Sequence, residues 1–185
     1  MNQKNILQLG KIQRPRGLKG ELRVITTGEL LYHRIPQKVS LYRAMGHAYG
    51  FLEEPIKERE IWLTSIRREG PALHIVTLDG ITTREAAEEL RGLYFGISLE
   101  TAMKRYGGGD PPYLFEYIYA KVRDVVEENL FGEVIRVYDR GVDFLLEADL
   151  GGKRVLIPGK SPYVRRFENG VLECEHLREL FAEEE

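Results

Sequence analysis

The chain has 185 residues and a mass of 21.3 kDa, which is enough for one large domain or two small ones, each with its own core. Hydrophobic residues make up 43% and charged residues 30%, a composition typical of a globular protein and not of a disordered one. The formal net charge of −2 excludes uniform attraction to nucleic acid, and the single cysteine excludes an internal disulfide network. No apolar run reaches the roughly 18 residues of a membrane-spanning helix.

The charge is unevenly distributed along the chain. Residues 1–106 carry 17 basic and 12 acidic side chains, whereas residues 107–185 carry 10 basic and 17 acidic ones. The basic excess is concentrated in residues 1–24, where Glu21 is the one acid. This asymmetry predicts two parts with different partners, and a solvated charged face is the alternative. The single cysteine and an N-terminal segment without a long apolar stretch predict a cytoplasmic protein.

The first part of the chain predicts a small antiparallel β-barrel. Its short strands are predicted over residues 5–12, 20–26, 39–42, 48–53, 60–66 and 72–78. Arg14–Gly17 has the proline and glycine of a tight turn between the first two strands. One helix follows, with Thr82 and Glu85 at the spacing of a capping box and Gly92 as its stop.

The clearest linker lies in the middle of the chain. Residues 104–112 contain three consecutive glycines and two adjacent prolines, which disfavour both a helix and an interior strand. The apolar pattern resumes just after them. We therefore predict two domains, 1–96 and 113–180, joined by a linker over 97–112.

The second domain predicts a β-meander that closes into another small barrel, followed by a short helix over 175–181. Its strands are predicted over residues 132–138, 142–148, 154–157 and 171–172. Asn169-Gly170 is a strong signal for a two-residue hairpin turn. The predicted fold class is thus mainly β, with two small barrels and short helices.

An aromatic side chain occupies every second position at the start of this domain. The four are Tyr113, Phe115, Tyr117 and Tyr119. On a strand they would all point to one face. That face is either barrel core or, at Tyr113 and Phe115, a pair of exposed anchors for a partner protein, because aromatic residues dominate interface hot spots.

No motif for covalent chemistry is apparent. The four histidines, one of them His176, lie far apart and do not have the spacing of metal ligands. Cys174 lies between Glu173 and Glu175, whose charges would raise the pKa of its thiol and make it a poor nucleophile. We therefore predict a binding protein with no catalytic residue, metal or cofactor.

Three segments resemble the RimM family of ribosome maturation factors. Leu9–Val24, with its Arg-Gly-Leu-Lys-Gly turn, is similar to the opening of the family. Asp79–Gly92 resembles the family's G-I-x-x-R-E-x-A-E-x-L-R-G segment. Gly132–Pro158 is similar to its second domain. The three matches occur in the family's order and span nearly the whole chain, which makes them specific together.

The resemblance implies a fold and a role. The first domain would be a barrel similar to one found in translation factors, and the second a PRC-type barrel. The role would be assistance in late assembly of the 30S subunit head and in processing of 16S rRNA, through binding to immature 30S particles and to small-subunit ribosomal protein nineteen (uS19 family). The chain departs from the family at Tyr113-Leu114-Phe115, where the family often has a Tyr-Tyr-Trp-like cluster.

We hypothesise a non-enzymatic, chaperone-like assembly factor that acts as a monomer. Arg14, Arg16, Lys19 and Arg23 would contact rRNA phosphates, and four such contacts predict a salt-dependence slope of roughly −3. Tyr113 and Phe115 would contact the ribosomal protein. Two alternatives stay open: an enzyme that processes precursor rRNA directly, and an RNA-binding barrel without a protein partner.

Overall fold

The structure, a computed structural model, describes residues 6–26, 35–43, 51–52, 56–127, 130–140 and 142–181. The chain divides into two compact units, Met1–Ala102 and Met103–Glu185. Both units are built on β-sheet with short helices, so the predicted mainly β fold class is confirmed.

The first unit contains a closed ring of six strands. Its elements are β1 (Ile6–Arg16), β2 (Glu21–Thr26), β3 (Gln37–Arg43), β4 (Phe51–Leu52), β5 (Ile56–Arg68), β6 (Leu73–Leu78), α1 (Arg84–Glu88) and β7 (Tyr94–Ser98). The order β2-β6-β5-β3-β7-β1 closes because β1 also pairs with β2, and β4 adds to the first residues of β1. All of these pairs are antiparallel. Closure gives each of the six strands of the ring a neighbour on both sides, although β1 is paired on one side only beyond Lys11.

The inner face of the ring is apolar. Leu9, Leu22, Leu41, Leu63 and Phe95 are all fully buried, and they come from five different strands. Because side chains alternate across a strand, the residues between them point outward. The outward side chains of β1 and β2 are therefore fixed in place by the buried ones.

The turn between β1 and β2 was predicted three residues too early. Strand β1 continues through Pro15 to Arg16, and the turn occupies residues 17–20. The β1–β7 ladder ends at Lys11, so only β2 lies beside β1 at the proline. A strand with one neighbour tolerates proline, which lacks an N–H for a second ladder.

The helices also differ in detail from the prediction. The cap of α1 is Thr83, not Thr82, and its Oγ1 accepts the N–H of Ala86 at 3.2 Å. A second helix, α2 (Leu99–Tyr106), lies within the segment predicted to be a linker, and residues 107–112 after it have no regular secondary structure. The helix ends before Gly107, the first of the three glycines. The glycines and prolines of the predicted linker therefore do not interrupt it.

The second unit contains a six-stranded sheet. Its strands are β8 (Lys121–Asp124), β9 (Phe131–Asp139), β10 (Phe144–Leu150), β11 (Lys153–Pro158), β12 (Val164–Glu168) and β13 (Val171–Cys174). They lie in the order β11-β10-β9-β8-β13-β12, and β8 pairs with β13 in parallel. Asn169 and Gly170 form the predicted β12–β13 turn, both with positive φ. A 3-10 helix, Leu177–Leu180, lies within the helix predicted near the C-terminus.

The aromatic run does not form a strand. Leu114–Tyr117 is a 3-10 helix, and Tyr119 has a φ of 62°. Glu116 stabilises the start of this helix, because its carboxylate accepts the backbone N–H of Tyr113 at 2.8 Å and that of Gly108 at 2.6 Å. The four rings therefore do not share one face. Their occurrence at every second position does not indicate a strand in this segment.

Candidate functional site

The β1–β2 hairpin carries the four basic residues predicted to bind RNA. Leu22 and Val24 point into the ring, so Arg23 between them points outward. Arg14 pairs directly opposite Arg23, and Arg16 opposite Glu21. Lys19 lies in the exposed turn beyond them. The ladder register thus brings Arg14, Arg16 and Arg23 to one outer face, and Lys19 lies in the adjoining turn; we call the surface formed by these four cations the hairpin face.

The sheet extends this face onto β6 and β5. Arg23 pairs with Ile75 on β6, and Ile75 pairs with Arg67 on β5. Ile75 lies on the outer side of the ring and is nevertheless only 2% exposed. Arg23 and Arg67 flank it on the two neighbouring strands, and arginine can cover apolar surface with its aliphatic stem while its guanidinium stays in water.

Arg67 was missed by the sequence analysis. It follows a strand predicted to end at residue 66, and it is far from Arg23 in the sequence. The sequence also gives no signal that distinguishes Arg67 from its neighbour Arg68. Only the pairing register of β2, β6 and β5 shows that Arg67 belongs to the hairpin face.

The predicted cations differ in their partners. Arg16 and Arg23 both form ion pairs with Glu69, at 3.4 Å and 2.7 Å. Arg14 and Lys19 are exposed, and neither has an ion-pair partner within the part of the chain that the structure describes. Two of the four cations are therefore open to an external anion, whereas the other two share an internal one.

Arg67 is paired as well. Its Nη2 donates to both carboxylate oxygens of Glu21, at 2.8 Å each. Both side chains are well exposed to water, so this ion pair contributes little to stability. Replacement of the Glu21 carboxylate by an external anion at Arg67 would therefore cost little free energy.

The turn of the hairpin is held against the rest of the first unit. A Cβ on Gly20 would overlap the carbonyl group of Ile81, which shows how closely the two backbones approach. Arg84 at the start of α1 donates to the carbonyl oxygen of Gly17 at 3.5 Å. Leu18 at the tip is 77% exposed. The turn is thus supported from behind and presents Leu18 and Lys19 to solvent.

The second unit presents one of the two predicted aromatic anchors. Tyr113 is 41% exposed and stacks on Phe115, with 5.5 Å between ring centroids and an interplanar angle of 11°. Phe115 is only 2% exposed, so the expectation of two exposed anchors is wrong for this residue. Phe115 belongs to the core and supports the ring of Tyr113 from below.

A groove in the second unit lies beside this aromatic pair. It has a volume of about 780 Å³, and one wall comes from residues 108–120 and the other from the β12–β13 hairpin. Three carboxylates line it, those of Asp110, Glu116 and Glu168, against the single guanidinium of Arg166. Arg166 and Glu168 pair with each other at 2.6 Å. The groove therefore has a negative balance that favours a cationic segment of a partner.

The groups considered for covalent chemistry are held in structural positions. Burial, together with the negative charge of Asp124, raises the pKa of Cys174 to about 12, so its thiol is protonated at neutral pH. The direction agrees with the prediction, but burial and Asp124 cause it, not Glu173 and Glu175. Among the described residues, no three histidine, cysteine or acidic side chains are arranged to hold a metal. No described helix is long and apolar enough to cross a membrane.

Comparison with known proteins gives consistent results. The RimM N-terminal domain family matches residues 7–102. Ribosome maturation factor RimM of Agrobacterium fabrum is 31% identical over 159 residues, which cover 83% of this chain and 74% of the relative. The protein of the same name from Microcystis aeruginosa is 28% identical over 184 residues, covering 97% and 91%.

A solved structure of a RimM protein from Pseudomonas aeruginosa gives a weaker likeness. It covers 92% of this chain and 96% of its own, at 20% identity and a TM-score of 0.41. A likeness at this level supports no conclusion about function.

Proposed function

Because the chain belongs to the RimM family, we propose that it is a ribosome maturation factor that binds immature 30S subunits and assists assembly of their head and processing of 16S rRNA. The family match confirms the resemblance in the first two sequence segments, and the relative from Microcystis aeruginosa, aligned over 97% of this chain, extends it over the third. The observation that carries the proposal is the hairpin face of the first unit, where the ladder register gathers the arginines of β1 and β2 and the adjoining turn adds Lys19.

The hairpin face has the chemistry that an RNA backbone requires. Guanidinium groups offer paired N–H donors to phosphate oxygens, and an exposed lysine adds a mobile point charge. Arg14 and Lys19 are free to make such contacts at once, because neither has an ion-pair partner among the described residues. The closed ring of strands holds the backbone that carries these side chains in place before RNA arrives.

The second unit is proposed to bind small-subunit ribosomal protein nineteen. Tyr113 provides a rigid exposed ring whose lower face rests on Phe115. The neighbouring groove carries more carboxylates than guanidinium groups, which complements a basic protein and accelerates encounter with it. The excess of acidic residues in the second part of the chain acts in the same direction.

The proposed action is binding without covalent chemistry, by a monomer in the cytoplasm. A factor that binds the correctly arranged head more tightly than misarranged forms shifts the population toward the correct one. Processing of 16S rRNA then improves because nucleases meet a folded substrate. Two unlike surfaces, one for RNA and one for protein, suit recognition of an intermediate in which both components are present.

Co-sedimentation tests the proposal. The wild-type protein is expected to travel with immature 30S particles and not with mature ones. Arg14→Ala/Lys19→Ala should weaken this association, because it removes the two cations that have no internal partner. The control is Lys153→Ala/Lys160→Ala, which removes the same charge from exposed lysines of the second unit and should bind nearly as wild type.

Two results would overturn the proposal. Equal association with mature and immature particles would exclude a maturation factor. Multiple-turnover formation of new 16S rRNA ends, on incubation of the purified protein with precursor rRNA and Mg²⁺, would favour an RNA-processing enzyme instead.

A further inference from the structure

Glu69 occupies the centre of the hairpin face. It lies directly after β5, in a turn that its own N–H closes by donating to the carbonyl oxygen of Leu73 at 2.8 Å. One carboxylate oxygen pairs with Arg16 at 3.4 Å and the other with Arg23 at 2.7 Å. The side chains of Glu69 and Arg23 are each 25% exposed, so water reaches the cluster and an external anion could reach it too.

A carboxylate and a phosphodiester present similar chemistry to arginine. Each carries one negative charge on two terminal oxygens, and guanidinium groups pair with either. Glu69 therefore holds Arg16 and Arg23 in the arrangement that a bridging phosphate would require. The match is incomplete on the protein side, because the Nε of Arg23 is buried and has no hydrogen-bond partner. Arg23 thus retains a donor that Glu69 does not use.

We infer that the carboxylate of Glu69 competes with an RNA phosphate for binding to Arg16 and Arg23. This inference rests on the proposed function and specifies how the same site is regulated. RNA gains these two cations only when a phosphate replaces the carboxylate, so an isolated strand binds mainly through Arg14 and Lys19. The protein therefore binds a correctly arranged rRNA surface more tightly than an isolated strand, because such a surface places phosphates against all four cations together.

The competition has a consequence for the salt dependence of binding. Two available cations give a slope of about −1.5 in the logarithm of affinity against the logarithm of salt concentration, and four give about −3. We therefore expect the wild-type protein to bind a single-stranded RNA of mixed sequence with a slope nearer the smaller value, instead of the roughly −3 predicted from sequence.

Glu69→Gln tests the inference. The amide preserves the size of the side chain and removes its charge. We expect affinity for the single-stranded RNA to rise roughly three- to tenfold, the equivalent of two exposed ion pairs, and the salt slope to steepen toward about −3. Glu88→Gln is the matched control, since it removes the same charge from an exposed ion pair with Arg91 in the same unit.

A second arm measures the coupling directly. Arg23→Gln should weaken RNA binding only slightly in the wild-type background, where Glu69 already neutralises part of its charge. In the Glu69→Gln background the same substitution should cost more, and circular dichroism with thermal unfolding confirms that each variant is folded.

The outcomes separate the inference from the proposed function. If Glu69→Gln changes binding no more than Glu88→Gln, Glu69 does not compete, while the RNA-binding role stands as long as Arg14→Ala/Lys19→Ala weakens binding. If wild type and Glu69→Gln both fail to bind RNA, the RNA-binding role fails and the inference fails with it.

Discussion

Single residues in this protein have roles that depend on their burial more than on their type. Tyr113 and Phe115 are both aromatic and lie two positions apart, yet one is an exposed ring and the other a core residue. Tyr113→Ala should cost less than about 1 kcal/mol of unfolding free energy and should weaken capture of ribosomal protein nineteen. Phe115→Ala should cost about 3–5 kcal/mol, because it leaves a cavity. Urea unfolding and a pull-down with the purified ribosomal protein check both effects.

Phe115→Leu serves as the control for this pair, because it keeps most of the buried volume. It should retain the fold and bind the partner nearly as well as wild type does. Loss of binding by Phe115→Leu, with no loss from Tyr113→Ala, would contradict the assignment of Tyr113 as the contact.

Asp124 makes the stability of the second unit depend on pH. Burial alone would raise its pKa, but N–H donors from Glu127, Val126 and Leu177, with the nearby His176, outweigh burial and lower it. A lowered folded-state pKa contributes stability above the unfolded value of about 4, and that contribution disappears as pH falls through the folded-state value. Asp124→Asn should cost about 1–3 kcal/mol at neutral pH.

The pH profile distinguishes this effect from a simple loss of packing. The difference in unfolding free energy between wild type and Asp124→Asn should narrow as pH falls below about 4, since the carboxyl group is protonated first in the unfolded state and, at still lower pH, in the folded state. Urea unfolding measured across this range provides the comparison. A difference that stays constant with pH would contradict the role given to the ionised carboxylate.

At the scale of elements, the β1–β2 turn depends on two glycines with different demands. Gly17 and Gly20 both have positive φ, but a Cβ on Gly17 meets nothing, whereas one on Gly20 would overlap the backbone of Ile81. Gly17→Ala should cost about 1–2 kcal/mol for the left-handed conformation. Gly20→Ala should cost more and should also weaken RNA binding, because the turn must move. Urea midpoints and RNA titrations measure the two effects, and equal costs would contradict the close approach.

The sequence predicts a strand well where apolar and polar residues alternate along it, and less well where a single residue determines where the strand ends. Leu22 and Val24 alternate with charged residues, so both β2 and its outward arginine follow from the pattern. The position of the turn does not follow, because Pro15 resembles a turn residue and the end of the β1–β7 ladder is not visible in the sequence. The conformation of the aromatic run does not follow from the pattern for a related reason, since the side chain of Glu116 stabilises the start of a 3-10 helix there.

For the whole molecule, the candidate site could be predicted only in part. The hairpin cations are close in the sequence, so a charge count finds them. Arg67 reaches the same face through the register of β5, β6 and β2, and Glu69 does so from the turn after β5, where it pairs with Arg16 and Arg23. The sequence therefore predicts the cluster of cations, but not the acid that pairs with two of them.

The parallel pairing of β8 with β13 has a consequence for the order in which the protein forms during synthesis. β13 lies between β8 and β12, so the second sheet is incomplete until Cys174 has left the ribosomal tunnel. All strands of the ring in the first unit are complete at Ser98, and that unit ends at Ala102. The nascent chain can therefore fold its first unit while its second unit is still being translated.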